Sequence, residues 1–326
     1  MYQLQTVHHD QKQLFAIPAL SLPPANPKHV LTSEDLSSTQ IRLVLDVAKA
    51  MKFDRAFAPK QVIPRENRIL AMIFEKQSLR TRFTFETAMV ELGGHAIYLT
   101  KSDIDMGNRE SIADVAENLS RWSAIIVARL NSHETLVKLA AHSKVPVINA
   151  LTDFDHPCQG LADLLTVEQR FPNETVKIVY IGDGNNVANS LAVTAAKLGH
   201  NVVICTPPGY EATDTCYKYD GVTHVYDPVE AMLGADVVYT DVWVSMGQES
   251  EESERMQRFA KYQVNETLMS HAKQSAIFMH CLPARRGLEV SDGVIDGAQS
   301  VVFDQAENRL HAQKSLMKLL LDGALA

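Results

Sequence analysis

Cysteine is scarce in this 326-residue chain, and Cys158, Cys205, Cys216 and Cys281 show no close spacing. That excludes a disulfide framework and a thiolate metal cluster, and makes reduced thiols in the cytoplasm the expected state. No apolar run approaches the roughly 20 residues that a bilayer crossing demands, so no membrane partner is expected. Positive charge is in deficit too: 31 Lys and Arg stand against 39 Asp and Glu, a net −8. A general nucleic-acid binder carries the opposite sign. Any anionic ligand must therefore be met by a local cluster of arginines. Short-period repeats and low-complexity tracts are missing. Residues 1–27 contain FAIPALSLPP, which is apolar but broken by prolines and lacks a basic leader. An N-terminal extension that packs on the body or on a neighbouring subunit is expected there, and not a signal peptide.

What remains is an ordinary globular composition, 46% apolar and 21% charged, with length enough for two domains. TSEDLSSTQIRLVLDVAKAM offers a helix N-cap followed by apolar residues at Ile41, Val44, Leu45 and Ala48. Strand patterns (RILAMIF, HAIYL, AIIVAR, VPVINAL) then alternate with helical ones (RTRFTFETAMVEL, SIADVAENLSRW, ETLVKLAAH). After the helical QGLADLLTVEQRF the alternation restarts with VKIVYIG, NVANSLAVTAAKLG, NVVICTP, VEAMLGA, DVVYTD, QRFAKYQV and AIFMHCLP. This text predicts an α/β chain with two doubly wound domains, each built on a mainly parallel sheet flanked by helices. The acidic run at 247–254 reads as a solvated loop, and AENRLHAQKSLMKLLLDGALA as a terminal amphipathic helix.

Ligands of open α/β sheets gather beyond the carboxyl ends of the strands. Ser78–Arg82, Arg129, His156, Asn185-Asn186, Asp241 and Cys281 all follow predicted strands, which points to one cleft between two domains. In FEKQSLRTRFTFE, Arg80 stands at the mouth of a helix, where the dipole repels cations. Free N–H groups, the hydroxyls of Ser78 and Thr81, and Arg80 together describe a phosphate cradle. The competing reading is a surface helix whose arginines pair with Glu75 or Glu86. IGDGNNVANS has glycines between strand and helix but lacks G-x-G-x-x-G, which argues against a dinucleotide loop. VWVSMG could equally be a strand end with Trp243 in the core, Gly247 serving as a loop hinge. His280 beside Cys281 suggests a thiol nucleophile and its base, yet neighbours on a strand face opposite ways.

The motifs F-E-K-x-S-x-R-T-R-x-x-x-E, H-P-x-Q-x-L-A-D, D-x-W-x-S-M-G, H-C-L-P and A-E-N-R occur in this order from about His29 onward. Together they resemble the aspartate/ornithine carbamoyltransferase family. The resemblance implies a carbamoyl phosphate domain at 28–155, an ornithine domain at 156–305, and a helix at 306–326 that crosses back to the first domain. It implies that Ser78, Leu79 (through its backbone), Arg80 and Thr81 hold phosphate, Leu79 standing where the family more often has Thr. Arg129 would reach both the phosphate and the carbamoyl oxygen, His156, Gln159 and Arg309 would hold the carbamoyl group, and Arg82 would be a structural or interface arginine. Asn186, Asp241, Ser245 and Met246 would hold ornithine. Cys281 with Asp241 would receive the δ-amine, Leu282 lending a carbonyl through a cis Leu282–Pro283 turn. It further implies no metal or organic cofactor, a homotrimer or a multiple of trimers, and L-citrulline and phosphate as products. The direction of the reaction in metabolism, and whether Asp105 reaches a neighbouring site, stay open at this level.

Overall fold

The computed structural model describes residues 28–57, 68–245 and 247–325. The expected N-terminal extension and Met246 lie outside the described residues. Two separate sheets form, as expected, and both are wholly parallel. The first orders β1 (Ile69–Phe74), β2 (His95–Thr100), β3 (Ile125–Arg129) and β4 (Val147–Leu151) as β2-β1-β3-β4. The second contains β5 (Lys177–Ile181), β6 (Asn201–Cys205), β7 (Val222–Val225), β8 (Val237–Thr240) and β9 (Ile277–His280), in the order β7-β6-β5-β8-β9.

Helices α1 (Ser38–Phe57), α2 (Leu79–Glu91), α3 (Lys101–Ile104), α4 (Ile112–Trp122) and α5 (His133–His142) accompany the first sheet. Then α6 (Pro157–Arg170) leads into the second, which carries α7 (Asn186–Lys197), α8 (Pro228–Met232), α9 (Glu252–Phe259), α10 (Glu266–Met269) and α11 (Asp292–Ile295). Last comes α12 (Val302–Leu321), which starts four residues before the predicted 306 and packs on α1, α2 and α6. The crossing back to the first domain is thus observed.

Strand side chains alternate between two cores, as the two-residue period requires. Ala71, Ile73, Ile126 and Ala128 face Val115, Leu119, Leu136 and Leu139 of α4 and α5. Their neighbours Leu70, Met72, Phe74 and Val127 face the other way, into a cluster with Ile41, Leu45, Phe85 and Leu316. That cluster continues without a break to Ile178, Tyr180, Val237 and Tyr239 of the second sheet. The helix α6 lies in the middle of it and is buried from Pro157 to Glu168. Glu168 at its end pairs with Arg42 and with Lys49 Nζ (2.5 Å), both on α1.

Two features departed from expectation. The edge strand β7 was invisible because VTHV offers only two apolar residues beside a turn at Gly221. The acidic run is not all loop: residues 249–251 form a helical turn, and α9 starts at Glu252 with Glu252 and Glu254 in its first turn, where the dipole favours carboxylates.

Connectivity reverses between β1 and β3 in one sheet and between β5 and β8 in the other. These are the places where open sheets open a crevice. The strand ends there carry Ser78–Arg80, Arg129, Asn185 and Asp241.

Candidate active site

Three elements deliver arginines to one cleft. Ser78 is the N-cap of α2, its Oγ accepting from the Thr81 N–H at 3.2 Å, so Arg80 sits in the first helical turn. Burial lowers the pKa of Arg80, while Cys281 and Asp241 act against that through space. Arg129 ends β3 where the pairing with β4 slips by one residue, a bulge of the kind that re-aims a side chain. It is 6% exposed, and its Nε has no partner. Burial, then Arg309 and Arg80, pull its pKa down to about 10. Arg309 arrives from the middle of α12. Its Nη1 donates to Gln159 Oε1 (2.6 Å) and its Nη2 to Thr81 Oγ1 (3.0 Å). Gln313, one turn later, completes the grip when its amide oxygen faces inward, accepting from Arg309 Nε (3.1 Å) and Nη2 (3.0 Å).

His156 is the N-cap of α6, with Pro157 in the first turn. Its backbone N–H donates to Ser190 Oγ on α7 (2.9 Å), and the neighbouring Asp155 accepts from Ser33 N and Oγ (both 2.9 Å). The ring is buried with Nδ1 unpartnered. Burial first, then Arg309 and Arg129, hold its pKa well below the usual range, so the imidazole is neutral. Among the described residues none of the three arginines forms an ion pair. Guanidinium groups left together without counter-charge in an acidic protein make a site that an anion stabilises.

Arg82 is elsewhere. It lies over the Tyr98 ring at 3.8 Å and donates to Glu86 (2.8 Å), as expected of a structural arginine. Glu75, the other proposed partner, caps the Asn131 N–H instead (2.7 Å).

Facing the cations is an acceptor group. Asp241, just past β8, accepts from Cys281 Sγ at 2.9 Å through Oδ1 and from Asn185 Nδ2 at 2.9 Å through Oδ2. Burial and Asp241 push the Cys281 thiol well above its ordinary range. It is a protonated donor at neutral pH and a poor nucleophile. His280 cannot serve it as a base: Nδ1 accepts from the Leu282 N–H (2.9 Å), and Nε2 points at buried Glu289 Oε1 (3.2 Å). Leu282 has φ 57°, and its bond to Pro283 is cis, as expected for the turn. Asp241, His280 and Cys281 form the one cluster of metal-ligating types among the described residues. Both nitrogens of His280 are already engaged, so ligation through either would break a buried hydrogen bond, to the Leu282 N–H or to Glu289.

Asn186 opens α7 and donates to the Thr152 carbonyl at 2.5 Å, leaving one amide N–H for a ligand. Ser245 is half-buried, its N–H held by Gln248 Oε1 (3.1 Å). Trp243 is buried and stacks on Phe259. The strand end is therefore both core and rim of the cleft. A Cβ on Gly184 would lie 2.2 Å from Ala212 N, so this glycine admits a neighbouring backbone and cradles no phosphate. Leu79 is exposed, with only its backbone in the helix mouth. Its strand-end position places Asn185 at the cleft without a role, and the structure makes it the N-cap of α7 that also holds Asp241. The sequence gives Asp163, Gln305 and Gln313 no role. The glutamines carry no local signal.

Residues 28–169 match the family model described as aspartate/ornithine carbamoyltransferase, carbamoyl-P binding domain, and residues 174–320 match its Asp/Orn binding domain. The chain belongs to the aspartate/ornithine carbamoyltransferase family. Among its relatives, the ornithine carbamoyltransferase of Pyrococcus abyssi is 48% identical over 307 residues, covering 91% of this chain and 96% of the relative. That of Anoxybacillus flavithermus is 49% identical over 304 residues, covering 90% and 96%. In three dimensions the chain is similar to the Pyrococcus furiosus ornithine carbamoyltransferase, with TM-score 0.87 and 47% identity over 91% of this chain and 98% of that one. The carbamoyltransferase fold thus places the arginine cluster on the boundary between its two sheets.

Proposed function

We propose that the protein transfers the carbamoyl group of carbamoyl phosphate to the δ-amine of L-ornithine, giving L-citrulline and phosphate. The observation that carries this reading is the convergence of Arg80, Arg129 and Arg309, unpaired, on neutral His156 opposite the Asp241–Cys281 pair. The helix mouth (Ser78, Leu79 N–H, Thr81) and the arginines receive the phosphate within 28–155. His156, Gln159 and Arg309 hold the carbamoyl group. Asn186, Asp241, Ser245 and Met246, within 156–305, take the amino acid, and Leu282 and Cys281 border the carbonyl carbon. The family names of the relatives agree with ornithine as acceptor, and a Pyrococcus furiosus relative is named anabolic, which agrees with a biosynthetic role.

Carbamoyl phosphate already carries a good leaving group. The protein need only align a neutral amine with the carbonyl carbon and stabilise charge as it develops on oxygen. Nitrogen attacks the carbon, the tetrahedral intermediate expels phosphate, and the amine proton is lost toward Asp241 and solvent. A citrulline assay on the purified protein, with ornithine, putrescine and N-acetylornithine in parallel, tests the reading. Turnover only with ornithine is expected. Preference for either other amine would replace it, and inactivity with all three would point to a binding subunit.

The rate is expected to rise from pH 6 to pH 9. A lysine-like ammonium (pKa about 10) must lose its proton, so the reactive amine grows with pH. His156 is held neutral and Cys281 protonated across this range, so neither adds a step of its own. A flat profile under conditions where chemistry limits turnover would count against a free-amine nucleophile.

An oligomer, a trimer or a multiple of it, fits the surface beside the cradle. Leu79, Phe83 and Val90 project from α2 into solvent at 77%, 67% and 61% exposure, next to Ile97 on the edge strand β2. A second copy of this chain is the occupant we assign to that patch. Light scattering should give a multimer for the native protein and a monomer for Leu79→Glu with Phe83→Glu. An unchanged mass would move the interface elsewhere. Among the described residues no helix is long and apolar enough to cross a membrane. All four cysteines are free, which suits a reducing cytoplasm.

A further inference from the structure

Asp163 closes the H-P-x-Q-x-L-A-D motif, and the chemistry above gives it no task. It is fully buried on α6, where α6 packs on α12 beside Tyr239 of β8. Its Oδ1 accepts from two amides at once, Gln159 Nε2 at 2.8 Å and Gln305 Nε2 at 2.7 Å. Each amide therefore turns its oxygen the other way. Gln159 Oε1 accepts from Arg309 Nη1, and Gln305 Oε1 accepts from the His280 backbone N–H at 2.9 Å.

A carboxylate only accepts, so it dictates which end of an amide faces it. Reversed, Gln159 would set its NH2 against a guanidinium and its oxygen against an oxygen. The second oxygen of Asp163 is buried with no amide partner, and the Tyr239 hydroxyl of β8 is the further side chain that acts on the carboxylate. Burial carries the Asp163 pKa up to about 7 while Gln159, Gln305 and Tyr239 pull it down.

We propose that Asp163 is a positioning residue that sets substrate specificity, fixing the Gln159 amide so that an acceptor oxygen, and not an NH2, meets the amino group of the carbamoyl donor. This rests on the functional reading given above. The amino group is what separates a carbamoyl donor from an acyl donor of the same shape, whose methyl cannot donate a hydrogen bond.

Two stable phosphonates isolate that difference: phosphonoacetamide, and 2-oxopropylphosphonate with methyl in place of amino. Calorimetry on the intact protein should show the amide binding tighter by roughly tenfold or more, the value of a buried hydrogen bond whose loss strands an acceptor. Gln159→Leu sets the ratio with no acceptor present. In Asp163→Leu the ratio should collapse to the Gln159→Leu value, because both amides lose their anchor. Asp163→Asn keeps an oxygen in place and should keep most of the ratio. Should Asp163→Leu not fold, Asp163→Ser takes its place with the same expected loss, its hydroxyl being too short to span both glutamines. Equal weakening of both ligands in the folded variant, an unchanged ratio, or an Asn variant as indiscriminate as Leu would each overturn the proposal. Wild type binding both phosphonates equally overturns it alone. Wild type binding neither overturns the functional reading with it.

Discussion

Replacing Arg129 by methionine is expected to make the protein more stable and nearly inactive. Arg129 brings a charge into a site with two other arginines and no counter-ion, and its guanidinium keeps one buried N–H unpaired. Its folded pKa of about 10 lies below the ordinary 12.5, so the native state disfavours the charged form by on the order of 3 kcal/mol. The sign follows directly. Below pH 10 the group is charged in both folded and unfolded chains, the penalty is fully present at neutral pH, and it fades only as pH rises past the folded value. Methionine retains the packing of the stem without the charge. Without phosphate ligands, the denaturation midpoint should rise by the equivalent of about 1–2 kcal/mol after allowing for imperfect packing. Over the same substitution, kcat/KM for carbamoyl phosphate should fall by about 10²–10³, the cost of one preorganised donor at a developing oxyanion. A variant less stable than the parent would mean that Arg129 is a structural arginine with a partner, and the anion site would lose its main support.

The second large effect is expected at Asp241. It accepts the Cys281 thiol and the Asn185 amide with separate oxygens, and in the proposed complex it takes the ammonium groups of the acceptor amino acid. Asp241→Asn keeps the shape and removes the charge. Truncating one partner of a buried charge pair costs about 3–5 kcal/mol, so kcat/KM for ornithine should drop by about 10² to a few times 10³. Affinity for a carbamoyl phosphate analogue should hold or improve, because Asp241 acts on Arg80 through space and repels the phosphate. Steady-state kinetics on ornithine and calorimetry with phosphonoacetamide separate the two. Parallel loss of both would abolish the division between an anion side and an amine side.

The strands and the cleft were readable because strand ends and charged motifs are local. RILAMIF, AIIVAR and DVVYTD each announce a buried strand, and each ends in a residue of the site or within a few residues of one. The geometry that holds those residues was not readable. Gln313 grips Arg309 one turn away, but its amide looks like any helix-surface glutamine in text. Gln305 and Asp163 meet across 142 residues of chain. The helix α6 carries Gln159, Asp163, Thr166 and Glu168, which suggest a solvated face, yet all four are buried because partners from α1, β8 and α12 satisfy them. Polar residues signal exposure in sequence except where tertiary contacts supply their hydrogen bonds, and that supply is invisible until the chain has folded.

Arg309 comes from α12, which follows both sheets along the chain. During synthesis at about 5–20 residues per second, both sheets emerge from the ribosome before α12 does. Until then the nascent protein lacks one of the three guanidinium groups and the helix that ties α6 to α1 and α2, so phosphate affinity and turnover should switch on together only once α12 has docked. A chain cut short near residue 300 would hold nearly all its strands and helices and still be inert.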